Sequence, residues 1–133
     1  MNRHKVRENT FKLLFLVEFH RAEELKQQAE RFFHWEELEE ATQDAKLEIQ
    51  LKCEKIVEKK EIIDQKINDV ASGWKTSRMG RVDLAILRLA IFELQFDPAV
   101  PTGVAINEAV ELAKKYGQDE SPAFINGILA KMI

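Results

Sequence analysis

The sequence predicts an all-α protein, and three observations carry that prediction. Apolar residues recur at spacings of three and four along most of the chain, the pattern of helices that bury one face. Hydrophobic residues make up 45 % and charged residues 32 %, with only 5 Gly and 3 Pro among 133 residues, a balance that suits amphipathic helices and neither disorder nor a loop-rich fold. No stretch alternates polar and apolar residues as a half-buried strand does. A chain of this length is expected to form one domain and to bury roughly two-thirds of the surface exposed when unfolded.

The elements follow in order. Val6, Thr10, Leu13, Leu14 and Val17 define the buried stripe of a first helix, and Arg3, Lys5, Arg7 and Lys12 fall largely off it. Cations at a helix N-terminus face the positive end of the macrodipole, which hints at an anionic ligand shared with the backbone N–H groups. Residues 21–35 read as a second helix through Ala22, Leu25, Ala29, Phe32 and Phe33, ending near His34 and Trp35. A third spans 36–58 through Ala45, Ile49, Cys53, Ile56 and Val57, and a fourth 59–74 through Ile63, Ile67, Val70 and Trp74. Neither Gly nor Pro separates these two; the charge run Glu58 to Glu61 marks the break. The stretch from Ser72 to Gly80 holds two glycines and serves as the link between two helical subdomains, about 1–72 and about 73–133.

From Val82 to Phe96 little polar face remains, which marks a central helix surrounded by others; Asp97-Pro98 stops it. The next helix lies within Pro101 to Tyr116, with Ile106, Ala109, Val110 and Ala113 on its stripe, and Gly117 is expected to close it in a left-handed cap. Ser121-Pro122 reads as an N-cap hydroxyl followed by Pro in the first turn of a last helix, whose buried face is Phe124, Ile128 and Leu129. Gly127, costly in mid-helix, is expected to permit close contact with another helix. Seven helices result.

Several function classes recede on composition and motif. The formal net charge is -3, yet Arg3, Lys5, Arg7 and Lys12 against Glu8 give residues 1–12 a charge of +3 and leave -6 on the remainder. Nucleic-acid binding depends on such clustering more than on the sum, although short basic N-termini also occur merely to solvate a helix end. The lone Cys53 excludes an internal disulfide, and the amphipathic N-terminus lacks a signal peptide's apolar run, so a reducing, cytoplasmic compartment is expected. No window approaches the roughly 20 apolar residues of a membrane span. His4, His20 and His34 have no metal-ligand spacing with one another or with Cys53, and no phosphate loop, dinucleotide fingerprint or nucleophile elbow is present. No catalytic residue, metal or cofactor is expected.

The second half of the chain resembles the NusB family of transcription antitermination factors. Trp74 to Leu94, reading WKTSRMGRVDLAILRLAIFEL, is similar to the family's central helix; Val104 to Gly117, VAINEAVELAKKYG, to its next helix; and Ser121 to Leu129, SPAFINGIL, to its last. Arg3-His4-Lys5-Val6-Arg7-Glu8 resembles the family's arginine-rich start, with His4 and Lys5 where arginines are often found. The matches cover about half the chain, and residues 20–70 carry none. The resemblance implies a NusB-like fold of two three-helix-bundle-like subdomains with an additional helix, in agreement with the count above.

It also implies a function: binding of single-stranded boxA-type RNA together with NusE, a ribosomal protein, within the transcription elongation complex, without catalysis. Carried onto this chain, RNA binding falls to Arg3, His4, Lys5 and Arg7, and to Glu120, Ser121 and Phe124 at the entrance to the last helix. Partner contact falls to Phe15, Asp83 and Arg88. For Arg88, on a strongly apolar helix, a structural ion pair competes with partner contact. The resemblance admits a homodimer. Two other readings stand beside it: the NusB-like domain of a ribosomal RNA cytosine methyltransferase, which needs a following α/β domain, and a purely structural helical adaptor with no salt-dependent affinity for RNA.

Overall fold

The computed structural model describes residues 1–18, 24–35, 42–71, 73 and 75–133. Seven α-helices and one 3-10 turn (Thr76–Arg78) are found among the described residues, and no strand: α1 (Arg3–Val17), α2 (Leu25–Trp35), α3 (Gln43–Glu58), α4 (Lys60–Val70), α5 (Arg81–Phe96), α6 (Thr102–Tyr116) and α7 (Ser121–Ala130). His20, Ala22, Ser72 and Trp74, which the sequence reading used, lie outside the described residues, as do 36–41 of the predicted third helix.

Two compact units divide the chain, Met1–Glu58 and Lys59–Ile133. The division falls at the α3–α4 junction and not in the glycine-bearing 72–80 stretch, so α4 belongs with the second unit. Glycine marks where the backbone can turn; it says nothing about which neighbour a helix packs on.

In the first unit α1 packs on α2 and α3. Asn2 caps α1, its side-chain oxygen accepting from the Lys5 N–H at 2.8 Å. The predicted stripe of Val6, Thr10, Leu13, Leu14 and Val17 is buried, and the Thr10 hydroxyl is satisfied by donating to the Val6 carbonyl at 2.8 Å. Leu25, Ala29, Phe32 and Phe33 of α2 and Ile49, Cys53 and Ile56 of α3 complete the interior. Thr42 caps α3, accepting from the Ala45 N–H at 3.1 Å. Burial, with a smaller contribution from Glu54, pushes the Cys53 thiol up to about 12.

The second unit is built on α5, which contacts α4, α6 and α7. Every residue from Leu84 to Glu93 is buried, as its all-round apolar pattern requires. Lys59 breaks the chain before α4, and Ile63 and Ile67 supply that helix's buried face. On α6 the buried residues are Ala105, Ala109, Leu112 and Ala113, while Ile106 and Val110 are half-buried. The stripe is rotated toward alanines because small side chains let helices approach.

Three glycine and cap expectations change. Gly117 has φ of -91°, not a left-handed value. Its requirement is steric: a Cβ there would lie 2.6 Å from the Ser121 Cβ and 2.8 Å from the Ala113 carbonyl oxygen. Ser121 is the first residue of α7, and its hydroxyl accepts from the Gln118 N–H at 2.9 Å, so it fastens the preceding turn and does not cap the helix. Gly127 is exposed, and a Cβ there would meet nothing within 4 Å, so no close helix contact explains it.

Candidate RNA-binding and partner surfaces

The N-terminus of α1 presents a basic tip. Arg3, His4 and Lys5 are exposed and Arg7 is half-buried, and the helix's first turn contains no acidic residue. The Asn2 cap fixes the chain entering the helix, so these side chains leave from a defined backbone. The Arg3 guanidinium pairs with Glu48 of α3, and the Lys5 ammonium lies 3.2 Å from a Glu8 carboxylate oxygen. Glu8 is buried at 3 % exposure, whereas Glu48 is exposed. These partners act differently on an incoming anion. An exposed pair such as Arg3–Glu48 is worth at most about 1 kcal/mol and can be exchanged for a phosphate, while Glu8 is held in place and tethers Lys5. Asn9 supports the same turn by donating to the Lys5 carbonyl at 2.9 Å.

Phe15 is half-buried near the other end of α1, next to Leu16, which is 39 % exposed. Phe11, Leu13, Leu14 and Val17 form the interior instead, which leaves Phe15 part of its ring on the surface.

The second unit carries the remaining nominated residues. Glu120 is exposed and Phe124 half-buried. Ser121 is buried at 2 %, and its hydroxyl accepts from the Gln118 N–H, so it shapes the loop. Asp83 is half-buried in the first turn of α5, where its charge complements the helix dipole. Arg88 is 4 % exposed and forks onto Asp64 of α4, Nε to Oδ1 and Nη2 to Oδ2, both at 2.8 Å. That is the geometry of a structural pair: the guanidinium is turned inward to join α5 to α4 and is not offered to a surface. Burial works against both charges, pushing the Asp64 carboxyl up to about 6 and the Arg88 guanidinium down to about 10. Lys60 nearby lowers Asp64 by a smaller amount.

Asn107 and Asn126 are exposed and line an open groove of about 500 Å³ between α6 and α7, together with Gly103, Ile106, Pro122 and Ala123. The Tyr116 ring has the Lys115 ammonium 5.4 Å from its centroid, so one face already meets a cation. Among the described residues no group of three or more His, Cys, Asp or Glu is arranged to hold a metal ion. No helix among them is long and apolar enough to cross a membrane.

The partners of the tip were only partly readable. Lys5 and Glu8 are three apart on one helix, a spacing that makes them neighbours. Arg3 and Glu48 are separated by 45 residues, and no local pattern announces such a pair. Asp64 was likewise hidden, since its role depends on which face of α4 meets α5.

Seven helices among the described residues, in two compact units, with a capped basic helix end in the first and a nearly all-apolar central helix in the second, define the class: an all-helical protein with exposed charge at a helix end. The NusB family model matches residues 4–133, and the chain belongs to the NusB family. It is 53 % identical over 131 residues to the transcription antitermination protein NusB of Agathobacter rectalis, covering 98 % of each chain. It is 50 % identical over 133 residues to that of Lachnoclostridium phytofermentans, covering 100 % of this chain and 99 % of the relative. Among solved structures it is similar to NusB of T. maritima, with a TM-score of 0.87 and 37 % identity over 99 % of this chain and 90 % of that one. A structure of NusB and NusE in complex with dsRNA gives a TM-score of 0.83 and 25 % identity, covering 99 % of this chain and 97 % of that one.

Proposed function

We propose that this protein is a transcription antitermination and ribosomal RNA synthesis factor that binds single-stranded boxA-type RNA together with NusE, in the cytoplasm and as part of the elongation complex. It acts by binding and orienting, not by catalysis. The observation that carries the reading is the exposed basic tip of α1, mounted on an Asn cap, in a chain that belongs to the NusB family. Similarity to relatives bearing the antitermination name extends over nearly their whole length, which favours this reading over the methyltransferase domain. A related NusB has been solved with NusE and dsRNA, which supports NusE and RNA as partners.

On this reading Arg3, His4, Lys5 and Arg7 hold phosphates, and Arg3 leaves Glu48 to do so. Glu120 and Phe124 contribute an edge hydrogen bond and a partial stacking face, the contacts by which single strands are read. Phe15 with Leu16, and Asp83, face NusE. About four cationic contacts give modest affinity and a salt slope near -3, so a partner that adds contacts of its own raises affinity through joint engagement. A homodimer that covers the tip is the competing state of the free protein.

Fluorescence anisotropy of a labelled boxA-type RNA, with and without NusE and at two salt concentrations, tests the proposal. NusE should tighten binding, and Arg3→Ala, Lys5→Ala and Arg7→Ala together should weaken it and flatten the salt slope. Binding no stronger than to a scrambled RNA under every condition sinks the assignment and leaves the structural adaptor.

A further inference from the structure

A second cationic feature lies far from the tip in sequence. Between Asp69 and Asp83 the chain carries Lys75, Arg78 and Arg81 and no acidic residue, a charge of +3 over residues 70–82. With the +3 of residues 1–12, that leaves -9 on the rest of a chain whose total is -3. The protein's positive charge is therefore concentrated twice, once in each compact unit.

The structure gives residues 75–81 a defined shape. Lys75, Arg78 and Arg81 are all exposed. Thr76–Arg78 form the 3-10 turn, closed by hydrogen bonds from the Arg78 N–H to the Lys75 carbonyl at 2.9 Å and from the Met79 N–H to the Thr76 carbonyl at 3.3 Å. Two anchors mount the turn on the second unit: the Asn68 side-chain oxygen accepts from the Thr76 N–H at 2.9 Å, and Met79 is buried at 8 % exposure. Lys75 enters the turn with extended backbone, and the Arg78 N–H to Lys75 carbonyl bond keeps their α carbons within about 7 Å of each other. Met79 and Gly80 are extended, with ψ of 149° and 145°, and carry the chain to Arg81, at most about 10 Å beyond Arg78. Gly80 caps α5 without a side chain, so nothing on the cap residue competes for the first N–H groups of that helix.

We propose that this turn is a second phosphate-binding surface, taking the sugar-phosphate backbone of the same single-stranded RNA. The inference rests on the RNA-binding function proposed above. Three cations spread over up to about 17 Å fit an evenly charged backbone better than one carboxylate, which would need a focused site. Its three cations address phosphates, and phosphate contacts set affinity and register without carrying sequence information, so the gain should come without sequence preference.

The test compares wild type with the triple variant Lys75→Ala, Arg78→Ala, Arg81→Ala, using anisotropy of boxA-type and scrambled single-stranded RNA from 50 to 200 mM salt. All three side chains are exposed, and an unchanged far-ultraviolet melting curve is the check on folding. Loss of three contacts at about 0.7 per phosphate should flatten the salt slope by about 2, so the variant's disadvantage shrinks by roughly 20-fold across that salt range. Both RNAs should weaken together, and Arg78→Lys with Arg81→Lys should keep most of the slope. An unchanged slope in the triple variant, while the Arg3, Lys5 and Arg7 variant still loses affinity, overturns this surface and leaves the function standing. Unchanged RNA binding with loss of NusE binding overturns it in favour of a protein contact. Failure of wild type to bind any RNA removes both proposals together.

Discussion

Removing either member of the Arg88–Asp64 pair should destabilise the protein, but by unequal amounts, and the inequality can be worked from the two environments. The pair joins α5 to α4 through two bonds of 2.8 Å, with the Arg88 side chain 4 % exposed and that of Asp64 20 %. When its partner is removed, the remaining group can escape an uncompensated buried charge by becoming neutral. Asp64, 20 % exposed and already pushed toward its neutral form, can become neutral near pH 7, whereas Arg88, 4 % exposed, is left as a buried charge without its carboxylate. Asp64→Ala should therefore cost about 4 kcal/mol and Arg88→Met, which keeps the apolar stem, about 1 to 2 kcal/mol with its lost hydrogen bonds. The double variant should recover most of the larger loss.

Urea unfolding followed by circular dichroism at 222 nm reads all three. The pH dependence carries its own sign. In the intact protein Asp64 is pushed up to about 6, above the ordinary carboxylate value, so the folded state holds the extra proton below that pH and the wild type should gain stability from this group as pH falls from 7 to 5, a gain that Asp64→Ala should lack. Equal losses at pH 7, or a larger loss from Arg88→Met, would show that the guanidinium's burial is not what sets the energetics.

Other substitutions test the remaining assignments. Gly127→Ala, at an exposed helix position where a Cβ meets nothing, should stabilise by about 0.5 to 1 kcal/mol in the same urea assay. Gly117→Ala should destabilise by about 1 to 3 kcal/mol, because its Cβ would press on Ser121 and the Ala113 carbonyl, and the loss should appear as a lower melting temperature. Cys53, buried and held as the thiol up to about 12, should react with a thiol reagent at pH 8 only as fast as the fold opens and at once in denaturant; rapid labelling of the folded protein would contradict its placement. Glu48→Ala frees Arg3 from its exposed partner and should raise RNA affinity by up to about fivefold at low salt, measured by anisotropy.

Helix identity was legible because a buried face needs a period that survives any tertiary arrangement. The stripes of α1 and α2 and the all-round burial of α5 follow directly from residue spacing. The α6 stripe followed in part: Ala109 and Ala113 are buried, while Ala105 and Leu112 take the buried places expected of Ile106 and Val110. Gly117 and Gly127 show the same difficulty: glycine is required at one position by a neighbour four residues on and by nothing visible at the other. At the tip, residue types alone marked the cations, but the balancing role of Glu48 needs the α1–α3 packing to exist before it can be seen. The resemblance nominated Ser121 and Arg88 as contacts; their burial assigns them to the scaffold behind those contacts.

The charge arrangement bears on why such a protein would work with a partner. The basic tip is partly neutralised at rest by Glu8 and Glu48, and the chain as a whole is negative, so RNA is attracted locally and repelled at longer range. Non-specific RNA, which offers phosphates but no matched bases, gains little from a surface whose cations must first exchange one carboxylate for another anion. A partner bound through Phe15 and Asp83 would add contacts without adding that exchange, and the combined affinity would rise through effective concentration. On the proposed function, restraint at the tip is then a selectivity device: weak alone, and sufficient only when partner and RNA engage together. The Glu48→Ala variant tests this idea, because it should raise binding to scrambled RNA by a larger factor than binding to the boxA-type sequence and so reduce the discrimination between them.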